Sequence, residues 1–566
     1  MQSPARSGSA LLFSLAALLL VLLQPAASPA QAYTAHPKLI VIVVIDQFRG
    51  DYIERYRTEL KGRGFRLFTD EGAWFTDCYY DYANTKTAPG HATIGTGAYT
   101  DGHGIEANEW WDASRSSERK VTSVEDERYR LVGSPSTSTP AGAPPFVIGA
   151  SPRNLRATTL GDELRLATQG RARVFGISLK DRAAILPAGQ AANGAFWTDD
   201  ASGRFVTSTY YMETLPQWAQ AFNTSGRIAE AAHEARVDDL SHFHDLVERT
   251  PAANRYELDF ARALIDGERL GRGPVTDLVT ISLSANDLIG HAKGPDSEEE
   301  HQMILGLDRD LDGFFSWLDK TIGLDNVWIA LSADHGVAAV PAQAAKLGID
   351  AATPDLTALR TRLNLLLNTR FSPQEAKSYI LPSADLPYLT LDRRVFEQAH
   401  IDEKTAEDAA AELLPQALAQ LTPSAASALP SDHRLPPTPT IAGVYTRLEM
   451  THGPLPPNEI GRLLAHSSFD HGNWYVMLML GPYQMQELHS LTGTTHFSPW
   501  SYDRHVPLAF YGAPFLPGTY RERVAPVDLA STLASLAGIN QPSAAVGRVL
   551  TEALRPSRPA SEQRVR

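Results

Sequence analysis

Four short runs of apolar, largely β-branched residues punctuate the chain, and each leads into a polar residue. Leu39 to Ile45 ends at Asp46, and Val174 to Leu179 ends at Lys180. Leu278 to Leu283 is followed by Asp287, and Val327 to Ala333 ends at Asp334. Near-continuous apolar runs of this length predict strands buried on both faces, as in a mostly parallel sheet. Between them lie helical patterns. In Glu298–Lys320, the residues Ile304, Leu307, Leu311, Phe314 and Leu318 recur every three or four positions, which predicts an amphipathic helix. The fold class is therefore α/β, a mostly parallel central sheet flanked by helices. Open sheets of this kind bind ligands beyond the carboxyl ends of their strands. The four polar residues all fall at such ends.

The pattern also divides the chain. Arg6, the apolar run Leu11 to Leu23 and Ala30-Gln31-Ala32 read as a signal peptide over residues 1–32, cleaved before Tyr33. The mature protein is then expected to be periplasmic or secreted, with no membrane segment after cleavage. Residues 33–554 are expected to form one large domain with two insertions. The first, 113–151, is rich in Ser, Pro, Gly and charge and reads as surface loop. The second, 341–466, reads as a cap, with an Ala-rich helix at Thr405–Leu414 and a Pro-rich turn at Leu435-Pro436-Pro437. The tail 555–566 is expected to be disordered.

Composition narrows the options. Cys78 is the single cysteine, so no intrachain disulfide can form. The formal net charge of −14 opposes general nucleic-acid binding, which needs a basic surface. No nucleic-acid partner is expected. Oligomeric state is not legible, and a monomer is compatible with the sequence.

Candidate chemistry centres on Thr87-Ala88-Pro89-Gly90-His91. A hydroxyl followed by Pro-Gly suggests a nucleophile at the opening turn of a helix, with Pro at the first helical position and free N–H groups available to an anion. Threonine needs a base or a metal to attack at neutral pH. Asp46, the pair Asp287 and His291 four apart, the adjacent Asp334 and His335, and His496 in Gly493-Thr494-Thr495-His496 supply carboxylates and imidazoles that suit zinc. His505 is the rival for the late histidine. Lys180 and Arg182 stand two apart and would face one way if their strand continues; by themselves they read as a solvated strand end.

The order Asp, Thr-x-Pro-Gly-His, Asp-x3-His, Asp-His-Gly and Gly-Thr-Thr-His resembles the alkaline phosphatase superfamily. Ser178-Leu179-Lys180-Asp181-Arg182 and His103-Gly104-Ile105-Glu106-Ala107-Asn108 resemble its secreted bacterial phosphatases of the PafA type, which have a Thr nucleophile. The helix-like Val527–Leu533 resembles one near the end of many members.

The resemblance implies an alkaline-phosphatase-like core and two zinc ions. One would be held by Asp287, His291 and His496, the other by Asp46, Asp334 and His335 with Thr87 coordinated to it. It implies Lys180, Arg182 and Asn108 as substrate contacts, and His91 and His103 as structural. The activity implied is hydrolysis of small phosphate monoesters through a phosphothreonine. A nucleotide pyrophosphatase/phosphodiesterase of the same superfamily is the alternative, and a non-catalytic phosphate-binding protein is the alternative from another class. A sulfatase is disfavoured, because Cys78 lacks the Cys-x-Pro-x-Arg setting.

Overall fold

The computed structural model describes residues 36–555, apart from 113–114, 116–118, 135–147, 239–242, 383–385, 422–438, 455 and 486–492. The expected signal peptide, Leu435-Pro436-Pro437 and all of the tail but Arg555 lie outside the described residues.

Five strands organise the centre: β1 (Leu39–Ile45), β2 (Val174–Ser178), β3 (Asp277–Leu283), β4 (Val327–Ser332) and β5 (Leu508–Tyr511). β1 is flanked by β3 and β4, both parallel to it, with Val44 opposite Ser282 on one side and Ser332 on the other. β2 continues the parallel order beyond β3, whereas β5 runs antiparallel to β4. Among the described residues they belong to one sheet of eleven strands. All seven residues of β1 are buried, as expected of a β-branched strand covered on both faces.

Four helices place the residues of interest: α1 (Thr87–Thr96), α2 (Asp181–Ala188), α3 (Ala285–Lys293) and α4 (Glu298–Thr321). α4 covers the expected amphipathic segment and buries Ile304, Leu307, Leu311, Phe314 and Leu318. Ser297 caps it by accepting from the Glu300 N–H at 3.1 Å, and three glutamates in the first turn favour the positive end of its dipole. Val527–Ala537 is also a helix, almost wholly buried.

Two stretches differ from what composition suggested. Within 113–151, Glu125–Val132 and Ile148–Ala150 are antiparallel strands at one edge of the large sheet. Glu125–Val132 is rich in charge because it is only partly buried, which hides its strand pattern. A second core joins Leu359, Leu363, Phe396 and Leu414 to Val476 and Leu478, and so extends past residue 466. Tyr475–Leu480 is the central strand of a separate three-stranded sheet, a long-range pairing that no local pattern reveals.

Candidate functional site

The carboxyl ends of β1, β3 and β4 bring Asp46, Asp287 and Asp334 together. β3 runs through Ser284 into α3, where Asp287 and His291 share one face, with His291 Nε2 3.2 Å from Asp287 Oδ1. His335 follows Asp334 directly, and His496 arrives from the distant Gly-Thr-Thr-His turn. All three histidines donate from Nδ1 to a backbone carbonyl: His291 to Thr494 at 2.9 Å, His335 to Gly336 at 3.0 Å and His496 to Thr85 at 2.6 Å. That network assigns the tautomer and turns each Nε2 lone pair toward the carboxylates, the usual preparation of a metal-binding imidazole.

Two groups of ligand atoms result, each within 4.8 Å: Asp46, Asp334 and His335, and Asp287, His335 and His496. His335 thus belongs to both. His291 stands beside the second group, its ring centroid 5.0 Å from that of His496. Asp46 Oδ1, Asp334 Oδ2 and His335 Nε2 are buried without a hydrogen-bond partner, and they fit a divalent cation by donor type as well as by convergence. The site already attracts positive charge: Lys180 Nζ lies 2.6 Å from Asp46 Oδ2 and 2.5 Å from Asp287 Oδ2. His505 is elsewhere, its Nε2 donating to the Thr76 carbonyl at 3.1 Å and its ring stacked on Tyr79.

Thr87 is the first residue of α1 and only 2% exposed. Pro89 is therefore the third helical residue, not the first; its missing N–H still falls in the first turn, where helical acceptors are absent. The expected anion site at this N-terminus is largely spent. Ala88 N–H donates to Asn108 Oδ1 at 2.9 Å, Pro89 has no N–H, and Gly90 N–H donates to the Lys86 carbonyl at 3.0 Å. Asn108, its carbonyl engaged, has its NH₂ left to offer. Strand β2 stops at Ser178, so Lys180 and Arg182 do not face one way along it. Lys180 is the N-cap residue of α2, and Arg182 sits in the first turn. Both nevertheless line one open pocket of about 640 Å³ with Thr87, Asn108, His291 and His496.

Residues 40–441 match the type I phosphodiesterase / nucleotide pyrophosphatase family. The chain belongs to that family, within the alkaline phosphatase superfamily. It is 32% identical to alkaline phosphatase PafA of Elizabethkingia meningoseptica over 92% of this chain and 94% of that protein. It is 31% identical to alkaline phosphatase PhoV of Synechococcus elongatus, over 92% and 94% respectively. The crystal structure of PafA superposes with a TM-score of 0.79, covering 92% of this chain and all of that one at 30% identity. The protein is a phosphoric ester hydrolase with a mostly parallel α/β fold.

The electrostatics of this superfamily site follow from burial. Burial raises the carboxyl pKa of Asp287, but Lys180 and His291 outweigh it and hold the group well below the usual range. Asp334 is pushed well above that range by burial and by neighbouring Asp46. Burial lowers His335 to about 3. It also lowers His496, helped by His335 and His291, so both rings are neutral at ordinary pH, as metal ligation requires.

Sequence reading missed Gln47. It adopts φ 63°, donates its backbone N–H to Asp334 Oδ1 at 3.0 Å and its side-chain amide to Asp287 Oδ1 at 2.6 Å. The available signal was a polar residue directly after Asp46 at a strand end. Both ring nitrogens of His91 are engaged within the protein: Nδ1 donates to the Thr87 carbonyl at 2.8 Å and Nε2 accepts from Ser282 Oγ at 2.6 Å.

Proposed function

We propose that the protein is an exported, zinc-dependent phosphomonoesterase working through a phosphothreonine at Thr87. The observation that carries this reading is the shared pocket, in which Thr87, Lys180, Arg182 and Asn108 line one space beside the acidic clusters. One zinc would be held by Asp46, Asp334 and His335, the other by Asp287, His291 and His496. Bound there, two such cations supply a lowered pKa for a hydroxyl and neutralise charge on a departing oxygen.

Thr87 Oγ1 gives up its proton and forms a bond to phosphorus as the ester P–O bond breaks; the leaving oxygen keeps the electron pair and takes up a proton to depart as the alcohol. Water then attacks the phosphothreonine, releasing phosphate and restoring the hydroxyl. Arg182 can hold two non-bridging oxygens at once, and the Asn108 amide adds a donor. Lys180 contributes charge to the same face, and by pairing with Asp46 and Asp287 it also orients those carboxylates.

The family match also favours a second reading, a phosphodiesterase. A diester carries one charge fewer and an extra substituent, so it gains less from Lys180 and Arg182. Arg182→Ala separates the readings, since Arg182, unlike Lys180, makes no ion pair with the proposed ligands. The expected result is a much larger loss of kcat/KM on p-nitrophenyl phosphate than on bis-p-nitrophenyl phosphate. Equal losses, or faster wild-type turnover of the diester, would favour the diesterase.

A further inference from the structure

The pocket over Thr87 is within the range that holds whole ligands, and far larger than a phosphoryl group requires. Its remaining walls are made by residues with no part in the reaction outlined above. Leu131, Val206 and Trp197 form an apolar side, and Trp197 is 7% exposed. His244 and Asp200 form a polar side.

His244 is held rather than loose. Its Nδ1 lies 2.6 Å from Glu248 Oε2, and the Glu248 carboxylate is 1% exposed against 35% for the imidazole. The other oxygen of Glu248 accepts from Thr198 Oγ1 at 2.7 Å. Nδ1 is thereby committed, and Nε2 is left as the donor or acceptor available to the pocket. The hydrogen bond that His244 Nδ1 donates to Glu248 raises the His244 pKa, which favours the cationic, donating ring relative to a free imidazole.

Asp199 is used differently: its carboxylate accepts from Ser134 and Ser202. Asp181 accepts from the Arg182 N–H. Asp200 is exposed.

A donor and an acceptor thus share one compartment with an aromatic wall. A second phosphate or a carboxylate on the leaving group would meet His244 favourably but would be repelled by Asp181, Asp199 and Asp200. An ammonium group would meet the reverse. A hydroxyl both donates and accepts and carries no charge, and a ring bearing hydroxyls has an apolar face for Trp197.

We infer that this compartment selects phosphate monoesters of hydroxylated alcohols, such as sugar phosphates, with His244 and Asp200 holding a leaving-group hydroxyl. The inference rests on the monoesterase reading. It makes His244 and Asp200 specificity-determining residues and Glu248 the positioning residue for His244.

The test compares glucose 6-phosphate with phenyl phosphate in the wild-type holoenzyme and in His244→Ala, Asp200→Ala and Glu248→Gln. The two alanine variants should each lose about tenfold in kcat/KM on glucose 6-phosphate, mainly through KM, and less than about twofold on phenyl phosphate. Glu248→Gln should weaken glucose 6-phosphate selectively and make its KM more pH-dependent near neutrality, because the ring loses its anionic partner. Equal losses on both esters, or none on either, would overturn the inference and leave the monoesterase reading standing. Wild-type protein that hydrolyses neither ester would sink both.

Discussion

Gln47 spans two carboxylates of different clusters, reaching Asp287 with its side-chain amide at 2.6 Å and Asp334 with its backbone N–H at 3.0 Å. Only the first contact depends on residue type. Gln47→Leu should loosen Asp287 while leaving Asp334 held. Groups that orient metal ligands typically contribute about 10–100-fold in affinity, and a loss in that range is expected for one bound ion. Chelator competition, with metal content read directly, would expose the loss; wild-type retention of both ions would count against this role.

Gly90 permits α1 to lie against the chain at Asp334. A Cβ there would stand 2.3 Å from the Asp334 carbonyl oxygen, a backbone atom that cannot swing aside. Gly90→Ala should therefore destabilise the fold by roughly 1–3 kcal/mol and shift Thr87 relative to Asp334. Urea unfolding measures the first effect, and a drop in kcat larger than the change in KM reports the second.

Glu106 gives a pH signature away from the metal ligands. Burial raises its pKa from 4.5 to about 8, although Phe469 N–H and Tyr475 Oη both donate to it at 3.2 Å. Between those values the folded form keeps a proton that the unfolded chain has lost. Its contribution to stability is therefore full below pH 4.5 and falls as pH rises to about 8, by at most about 1.4 kcal/mol per pH unit. Glu106→Gln keeps an acceptor for both donors and removes that slope. Unfolding midpoints of both proteins at pH 5 and pH 9 should diverge, with the variant favoured at pH 9; parallel curves would refute the assignment.

Removal of metal should be felt in stability as well as turnover. Asp46, Asp287 and Asp334 lie at neighbouring strand ends, where Lys180 offsets only part of their charge. A chelator is expected to abolish p-nitrophenyl phosphate hydrolysis and lower the melting temperature, and zinc should restore both. Activity that survives exhaustive chelation would exclude the metal-dependent reading.

The central strands and the ligand types were legible because they are local: a β-branched run ending in Asp, or an Asp and a His four apart. The turn around His496 favours it over His505; in the structure His496 converges with Asp287 and His335, while His505 donates to Thr76. Gln47 carried only a faint mark, a polar residue directly after Asp46 at a strand end, because its importance lies in two contacts across the sheet that leave no local pattern. The common direction expected of Lys180 and Arg182 fails for a related reason. β2 stops at Ser178, and Lys180, as the N-cap residue of α2, places its ammonium against Asp46 and Asp287 instead of along a strand. The strand Glu125–Val132, next to the edge of the sheet, escaped notice because a partly solvated strand need not alternate.

The register of β1 with its two neighbours has a consequence for how this enzyme can change over time. Neighbouring strands sit about 4.8 Å apart wherever their backbones pair, so the sheet spaces the strand ends beyond which Asp46, Asp334 and, on the first turn of α3, Asp287 stand. The walls that meet the alcohol come instead from residues 131, 197–206 and 244, outside those three strands. Reaction and substrate choice are therefore separately inheritable. Mutations in the second set can redirect the enzyme among esters while the machinery that cleaves them stays fixed in place.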